Sequence, residues 1–250
     1  MSSTVNEQDI RNFANAAGQW WDPKGAFSLL HAMNYARISF ILRNVAKNMG
    51  QHDLHNLKIL DIGVGGGLLS LPMANLGANV IGIDPCTQSI KAAQNIVDKY
   101  NVKNISLVNC SVEELVQNSN LKAKKNLFDI VCASEVIEHV DNFDLFMSSI
   151  NSLLKSNGLL FISTINRTLK SLLFAKVMAE YVMNLVPRGT HLWDNFKKPS
   201  EIISALEINN KTTFEISELI GLSLNPITKT WSETSDIKVN YMIMLKKTSK

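Results

Sequence analysis

Leu60-Asp61-Ile62-Gly63-Val64-Gly65-Gly66-Gly67 is the stretch on which the fold turns. Lys58 to Ile62 is a short apolar run ending in glycines, the pattern of a buried strand entering a tight turn. Glycines there let a ligand approach the backbone, because no Cβ stands in the way. A second apolar run, Asn79 to Ile83, ends at Asp84. An acid at that place, about 20 residues after the loop, can accept hydrogen bonds from both hydroxyls of a ribose.

A dinucleotide fold shares both features, so detail must separate the two. The dinucleotide fingerprint needs a third glycine three residues after the second, and Leu68 stands there. Asp61, just before the loop, is no help in holding a pyrophosphate. It suits a nucleoside with a cationic tail, whose ammonium it can attract directly or through water. S-adenosylmethionine (SAM) is such a ligand. Cys110-Ser111-Val112-Glu113-Glu114 follows the third strand, and there a helix N-cap by Ser111 and a wall for the adenine are compatible readings.

Outward from the loop, strands alternate with helical patterns. Leu68 to Leu76 and Ser89 to Tyr100 read as helices, and Ile105 to Val108 and Phe128 to Cys132 as strands. A helix from Leu145 to Leu154, stopped near Gly158, precedes a strand from Leu159 to Ser163. This alternation predicts βαβ units and a parallel sheet covered on both faces. The end of the chain differs. After a helix following Pro199, Thr213 to Leu219 and Val239 to Leu245 are strand-like without a crossover helix, predicting an antiparallel hairpin at the sheet edge. The expected fold is α/β, a Rossmann-like, mostly parallel seven-stranded sheet of the class I SAM-methyltransferase kind.

The chain has 250 residues, 46% hydrophobic and 19% charged, which fits one α/β domain. Within it the expected divisions are a helical cap at 1–50, a cofactor-binding core at 56–166, an insertion at 167–198 and completion of the sheet at 199–250. In the cap, Ile10, Phe13 and Ala17 share a helical face, Asp22-Pro23-Lys24-Gly25 breaks the chain, and a second helix runs through Arg37, Ile38, Ile41, Leu42 and Val45. A net charge of +3, spread along the chain, is no nucleic-acid footprint. Cys86, Cys110 and Cys132 are far apart, which argues against a disulfide framework or zinc site. The first ten residues lack signal- or transit-peptide character, and no apolar run is long enough to span a bilayer. The expectation is a bacterial cytoplasmic protein.

Further segments carry a resemblance over nearly the whole length. They are Trp20-Trp21-Asp22, Leu30-His31 with Asn34 and Arg37, the glycine loop, and Glu135-Val136-Ile137-Glu138-His139-Val140. Ser163-Thr164-Ile165-Asn166-Arg167-Thr168, Ala179-Glu180-Tyr181, Val186-Pro187-Arg188-Gly189-Thr190-His191 and Asn225-Pro226-Ile227-Thr228 complete the set. In these the chain resembles the ubiquinone biosynthesis O-methyltransferases. Tyr35 in place of a proline, and Val64 in place of a cysteine, depart from the family's pattern without removing a charge or a glycine. The resemblance implies SAM as cofactor, contacted by Arg37, Gly63, Asp84 and Ser134, with Gly65 in the same loop. Arg37 would pair with the ligand carboxylate, which a guanidinium fork suits. It also implies a polyprenylated phenol or catechol as acceptor, and two O-methylations by one enzyme.

Transfer to a phenol needs alignment and deprotonation, since a phenol with a pKa near 10 is a poor nucleophile. Glu135, Glu138 and His139 follow the fourth strand, and on a helix their spacing would place all three on one face. Two readings stay open. In one, His139 takes the phenolic proton, with Glu135 beside it and His191 as a second candidate base. In the other, Glu135, Glu138 and His139 hold a divalent ion, magnesium by the resemblance, that lowers the phenol's pKa. His31, His52 and His55 read as structural or loop residues.

Leu169, Leu172, Leu173, Val177, Met178, Tyr181, Val182 and Leu185 form a helical stripe within 168–186. It reads either as a helix packed over the site or as a peripheral membrane contact through 169–185 that admits a prenyl tail on the inner membrane. A biosynthetic protein complex is a further expected partner. Competing functions are a methyltransferase with another small acceptor, a nicotinamide-dependent oxidoreductase, and a non-catalytic SAM-binding adaptor.

Overall fold

The computed structural model describes residues 3–118, 127–173, 193–208 and 212–249. A first helix, α1 (Glu7–Ala16), is capped by the Asn6 side chain and continues into a 3-10 turn, Ala17–Gln19. The 22-residue α2 (Ser28–Met49) ends on Gly50 at φ 69°, the left-handed C-terminal cap that glycine adopts without strain. The alternating part runs β1 (Lys58–Ile62), α3 (Ser70–Asn75), β2 (Asn79–Ile83), α4 (Thr87–Lys99), β3 (Ile105–Val108), α5 (Val112–Gln117), β4 (Phe128–Ser134), α6 (Phe143–Leu153) and β5 (Leu154–Ile165). Then come α7 (Pro199–Glu207), β6 (Thr212–Asn225), β7 (Thr230–Thr234) and β8 (Asn240–Ser249).

Residue alternation along the strands decides the layers. Leu60, Val131, Leu160 and Ile243 face one core, closed by Leu115 of α5, Phe146 and Ile150 of α6 and Ile202 of α7. Their neighbours Ile59, Ile130, Leu159 and Met242 face a second core, closed by Phe40 and Val45 of α2 and Met73 of α3. Because both faces are covered, the central strands are apolar at nearly every position, as the sequence predicts. By the same alternation Asp61 shares the face of Ile59, the side that carries α2 and its Arg37.

The sheet order is β3-β2-β1-β4-β5-β8-β6-β7, parallel through β5. β8 then lies antiparallel between β5 and β6, and β7 pairs antiparallel with β6 at the edge. The sheet thus has eight strands, one more than the sequence pattern shows. The additional one, Thr230-Trp231-Ser232-Glu233-Thr234, is mostly exposed, and an edge strand with one half-buried large residue carries little hydrophobic signal. Gly158 is likewise not the helix stop. It lies inside β5, where the pairing with β4 jumps between Phe128 with Leu154 and Ile130 with Leu159. Asn157 takes φ 62° in that irregular stretch, a conformation asparagine tolerates.

Strand order reverses between β1 and β4, and this switch point is where an open α/β sheet leaves a crevice at the carboxyl ends of its strands. Residues 169–173 begin the helix expected from 168, and its continuation falls outside the described residues. Among the described residues no helix is long and apolar enough to cross a membrane.

Candidate active site

The crevice is a cleft floored by the glycine loop. Gly63 and Gly65 hold φ of 67° and 52°, where side chains are strained. A Cβ at Gly63 would sit 2.4 Å from the Val136 side chain, and one at Gly65 would sit 2.4 Å from the Trp20 ring. The loop is therefore glycine-rich for close packing as well as for ligand access. Trp20 lies across Gly65 and Gly66, stacks on Phe27 with centroids 3.7 Å apart, and donates from Nε1 to Ser89. Trp21 donates from Nε1 to the Gly66 carbonyl at 2.8 Å, and His31 Nε2 lies 2.7 Å from the Trp20 carbonyl. The Trp20-Trp21 pair, legible in the sequence only as a family mark, clasps the loop from outside.

Asp84 braces the loop from inside, accepting from Gly65 N at 2.9 Å and Cys86 N at 2.8 Å. Burial pushes its pKa up to about 6 despite these two donors. Asp61 accepts from Ser70 Oγ at 2.6 Å, and its pKa is pushed up to about 7 by burial, against the pull of Ser70 and Arg37. Arg37 is 5% exposed, and its Nη2 lies 3.6 Å from Glu135 Oε1, too far for a hydrogen bond. Burial holds the guanidinium below its ordinary value, although Glu135, Asp61 and Glu138 all favour the charge. Its Nε and Nη2 have no hydrogen-bond partner. Buried donors left without acceptors at the wall of a cleft fit an incoming anionic group such as a carboxylate.

The acidic cluster takes a different form from the one the spacing suggests. Only Ile137–His139 forms a 3-10 turn, and Glu135 precedes it at φ 55°. The three side chains are not stacked on one helical face. Glu135 donates from its backbone N to the Ser163 carbonyl at 2.8 Å and accepts from Ser163 Oγ at 2.7 Å, while Ser163 Oγ also lies 2.7 Å from Ser134 Oγ. Glu138, 2% exposed, accepts from Thr164 Oγ1 at 2.9 Å. Burial, reinforced by Glu135, pushes its pKa up to about 7. His139 turns Nδ1 to Asp9 Oδ2 at 2.9 Å. Burial disfavours the imidazolium, yet the Asp9 hydrogen bond and the charges of Glu138, Asp9 and Glu135 outweigh it and hold the pKa above the ordinary histidine value. Among the described residues no group of three or more His, Cys, Asp or Glu side chains is placed to hold a metal ion. Glu135, Glu138 and His139 are held by Ser163, Thr164 and Asp9 respectively.

The segment before α1 completes the cleft, and the sequence reading missed it. Val5 forms an antiparallel bridge with Val140, and Asp141 N donates to the Thr4 carbonyl at 3.1 Å. Thr4 donates to Glu113 from its backbone N at 2.9 Å and from its hydroxyl at 2.6 Å. Ser111 and Glu114 form the capping box of α5, as a helix start there predicts. Thr4, Asp9 and Phe13 line the cleft beside Arg37 and His139. One local signal was available: Asp9 and Phe13 are four residues apart, so the acid shares a helix face with an apolar residue. Of the other histidines, His52 and His55 are exposed in the loop before β1, and His191 falls outside the described residues.

Residues 29–210 match a family model described as a methyltransferase domain. The ubiquinone biosynthesis O-methyltransferase of Pelagibacter ubique is 39% identical over 244 residues, covering 96% of this chain and 97% of its own. That of Rickettsia typhi is 38% identical, covering 98% and 94%. The mitochondrial one of Rattus norvegicus is 39% identical, covering 96% of this chain and 69% of its own. Among solved structures, the plantazolicin methyltransferase BamL, crystallised with SAH (S-adenosylhomocysteine), superposes with a TM-score of 0.65 at 14% identity, covering 96% of this chain and 98% of that one. The magnesium protoporphyrin IX methyltransferase of Synechocystis with bound SAH gives 0.63 at 17% identity, covering 96% and 94%. At such identities these two share the fold.

The packing of Trp20 makes a stability prediction. Trp20→Ala removes a side chain only 7% exposed and should lower unfolding free energy by about 3 kcal/mol or more. Urea denaturation measures this, and a loss under about 1 kcal/mol would show that the loop does not depend on the ring.

Proposed function

The chain belongs to the ubiquinone biosynthesis O-methyltransferase family, and from that premise we propose that it is a SAM-dependent enzyme that methylates a phenolic hydroxyl of a polyprenylated catechol or hydroxyphenol in ubiquinone biosynthesis. The observation that carries this reading is likeness at 38–39% identity along nearly the whole length. A likeness confined to the glycine loop would support the cofactor alone. That the same chain performs both O-methylations of the route is part of the proposal.

When bound, SAM supplies an electrophilic methyl group on a sulfonium whose thioether leaves readily. The residues of the cleft fit that molecule at both ends. Arg37 offers its unpartnered Nε and Nη2 to the ligand carboxylate. Asp61, buried on the same side, offers a carboxylate to the ammonium. Asp84, beside the loop, receives the ribose hydroxyls, Gly63 and Gly65 leave the backbone open, and Ser134, at the end of β4, lines the same cleft as a further contact for the ligand. His139 takes the phenolic proton as the methyl group is transferred, and Glu135 steadies the charge this leaves on the imidazole. The segment of Thr4 to Phe13 covers the cleft and keeps water from the reacting atoms.

Methyl transfer from labelled SAM to a short-chain demethylubiquinol analogue tests the acceptor. Transfer is expected, and His139→Gln should lower kcat by about 100-fold or more. No transfer by protein that binds SAH would sink the acceptor assignment and leave the fold intact. The same assay in EDTA, then with magnesium restored, tells whether Glu135, Glu138 and His139 regroup around a metal when substrate is present.

The two buried acids give a pH dependence with a definite sign. Asp84 and Asp61 have pKa values raised to about 6 and about 7, so both gain protons as pH falls through that range. Only the carboxylate forms serve the ligand. SAH affinity by calorimetry should therefore weaken by about tenfold or more from pH 7.5 to 5.5. Asp84→Asn should bind weakly throughout with a shallower slope, and an unchanged slope would show that Asp84 is not one of the groups responsible.

Leu169 and Leu173 are 76% and 65% exposed on either side of Lys170, which supports peripheral membrane contact at the start of 169–185. Flotation with anionic liposomes should fall in Leu169→Asp/Leu173→Asp, both substitutions lying at the surface. Equal flotation of a folded double variant would end the membrane proposal.

A further inference from the structure

The segment that leads into Trp20 is held very differently at its two ends. Trp20 is buried, stacked on Phe27 and laid across Gly65 and Gly66 of the loop. At the far end Thr4 donates twice to Glu113, Val5 bridges Val140, and Asn6 Nδ2 donates to Asp141 Oδ1 at 2.9 Å. Between these ends Thr4, Ile10 and Phe13 line the cleft together with Gly63, Asp84 and Ser111. The segment thus crosses the cleft, from the glycine loop to the place where the start of α5 meets the turn after β4. Its middle is weakly packed. Asp9 is the one fully buried residue of α1, and Phe13 and Ala16 are half-buried against the Trp20 cluster. Few buried apolar contacts mark an element of low local stability. Gly18, in the 3-10 turn between α1 and Trp20, is exposed, and a side chain there would meet no atom within 4 Å. The chain can bend at that point while Trp20 stays packed.

We propose that residues 3–16 form a strap that swings about Gly18 to admit SAM and release SAH, and that Glu113 is its latch. The proposal rests on the reading that the cleft holds SAM. A ligand seated on the glycine loop lies beneath the strap, so it enters and leaves only when the strap lifts. Glu113 stands outside the residues that line the cleft, and it acts on the ligand through Thr4. Its carboxylate accepts from a backbone N–H and a hydroxyl of the same residue, and charge-assisted bonds of this kind are stronger than those to a neutral acceptor. Glu113 is therefore a positioning residue that sets how long the closed cleft persists.

The test locks the strap in one variant and loosens it in another, both in the full chain. Asp141 N donates to the Thr4 carbonyl beside the bridge, which makes Val5 and Val140 a non-hydrogen-bonded antiparallel pair. Side chains of such a pair lie at their closest approach, within reach of a disulfide. Val5→Cys/Val140→Cys oxidised with SAH bound should retain it, and the same protein oxidised empty should fail to take it up. Dithiothreitol should reverse both, and mass spectrometry identifies the cross-link. Glu113→Gln should speed SAH release, followed by displacement with labelled SAM, by about tenfold. Thr4→Val, which keeps its backbone N–H, should speed it by less. SAH exchange by the cross-linked protein at the rate of its reduced form would overturn the strap. So would a pair that does not cross-link, since the bridge would then not persist in solution. Parental release from a folded Glu113→Gln would overturn the latch. Failure of the parent and the reduced variant alike to bind SAH would instead remove the cofactor reading, and this proposal with it.

Discussion

The Arg37 guanidinium lies out of water among the charges of Asp61, Glu135 and Glu138, and this buried cluster constrains the structure around it. No one of these charges is tolerable alone at that depth. Removing Arg37 would leave carboxylates facing one another, and removing a carboxylate would leave a cation with still fewer acceptors. The elements that carry them are consequently tied together. α2 supplies the arginine, β1 supplies Asp61, and the turn after β4 supplies Glu135 and Glu138. Ser163 and Thr164, at the end of β5, hold the two glutamates by their hydroxyls. The cluster remains incomplete, since two guanidinium nitrogens have no partner. Under the proposed function, a ligand that brings its own carboxylate and ammonium would complete it.

The sheet makes that arrangement reachable. Because side chains alternate along β1, Asp61 points to the α2 face while Leu60 and Ile62 pack into the opposite core. Because the strand order reverses between β1 and β4, the ends of those strands diverge and the cleft opens at their carboxyl edge. Loop and cleft are then held from two sides, Asp84 from within and Trp20 from without. The glycines answer both demands, since a side chain at Gly65 would strike the tryptophan as surely as it would crowd a ligand.

The N-terminal segment adds a third wall with a chemical consequence. Its hydrogen bonds reach Glu113 after β3, Asp141 after the acidic turn and His139 within it. A segment attached at three such points shields the cleft and carries an acid to the imidazole. The burial of Glu138 and the hydrogen bond between Asp9 and His139 are parts of one electrostatic arrangement, in which the carboxylates around the imidazole offset its desolvation.

The residues alone determined the parallel core, the glycine turn, the acid at the end of β2 and the antiparallel ending. These follow from short-range patterns: apolar runs of strand length, glycine where a backbone must turn, an acid at a fixed offset. β7 escaped because an exposed edge strand needs no apolar run, and Gly158 misled because the β4–β5 pairing skips residues that a regular strand would use. The site was legible in composition and not in arrangement. Glu135, Glu138 and His139 suggested a helical face, but Glu135 turns to positive φ and the three side chains go to Ser163, Thr164 and Asp9. Only the tertiary structure decided that Asp9, Thr4 and Trp20 belong to the cleft. Sequence spacing reports contacts within a turn or a strand, whereas these hydrogen bonds join residues 69 to 130 positions apart and exist only once the sheet has brought its strand ends together.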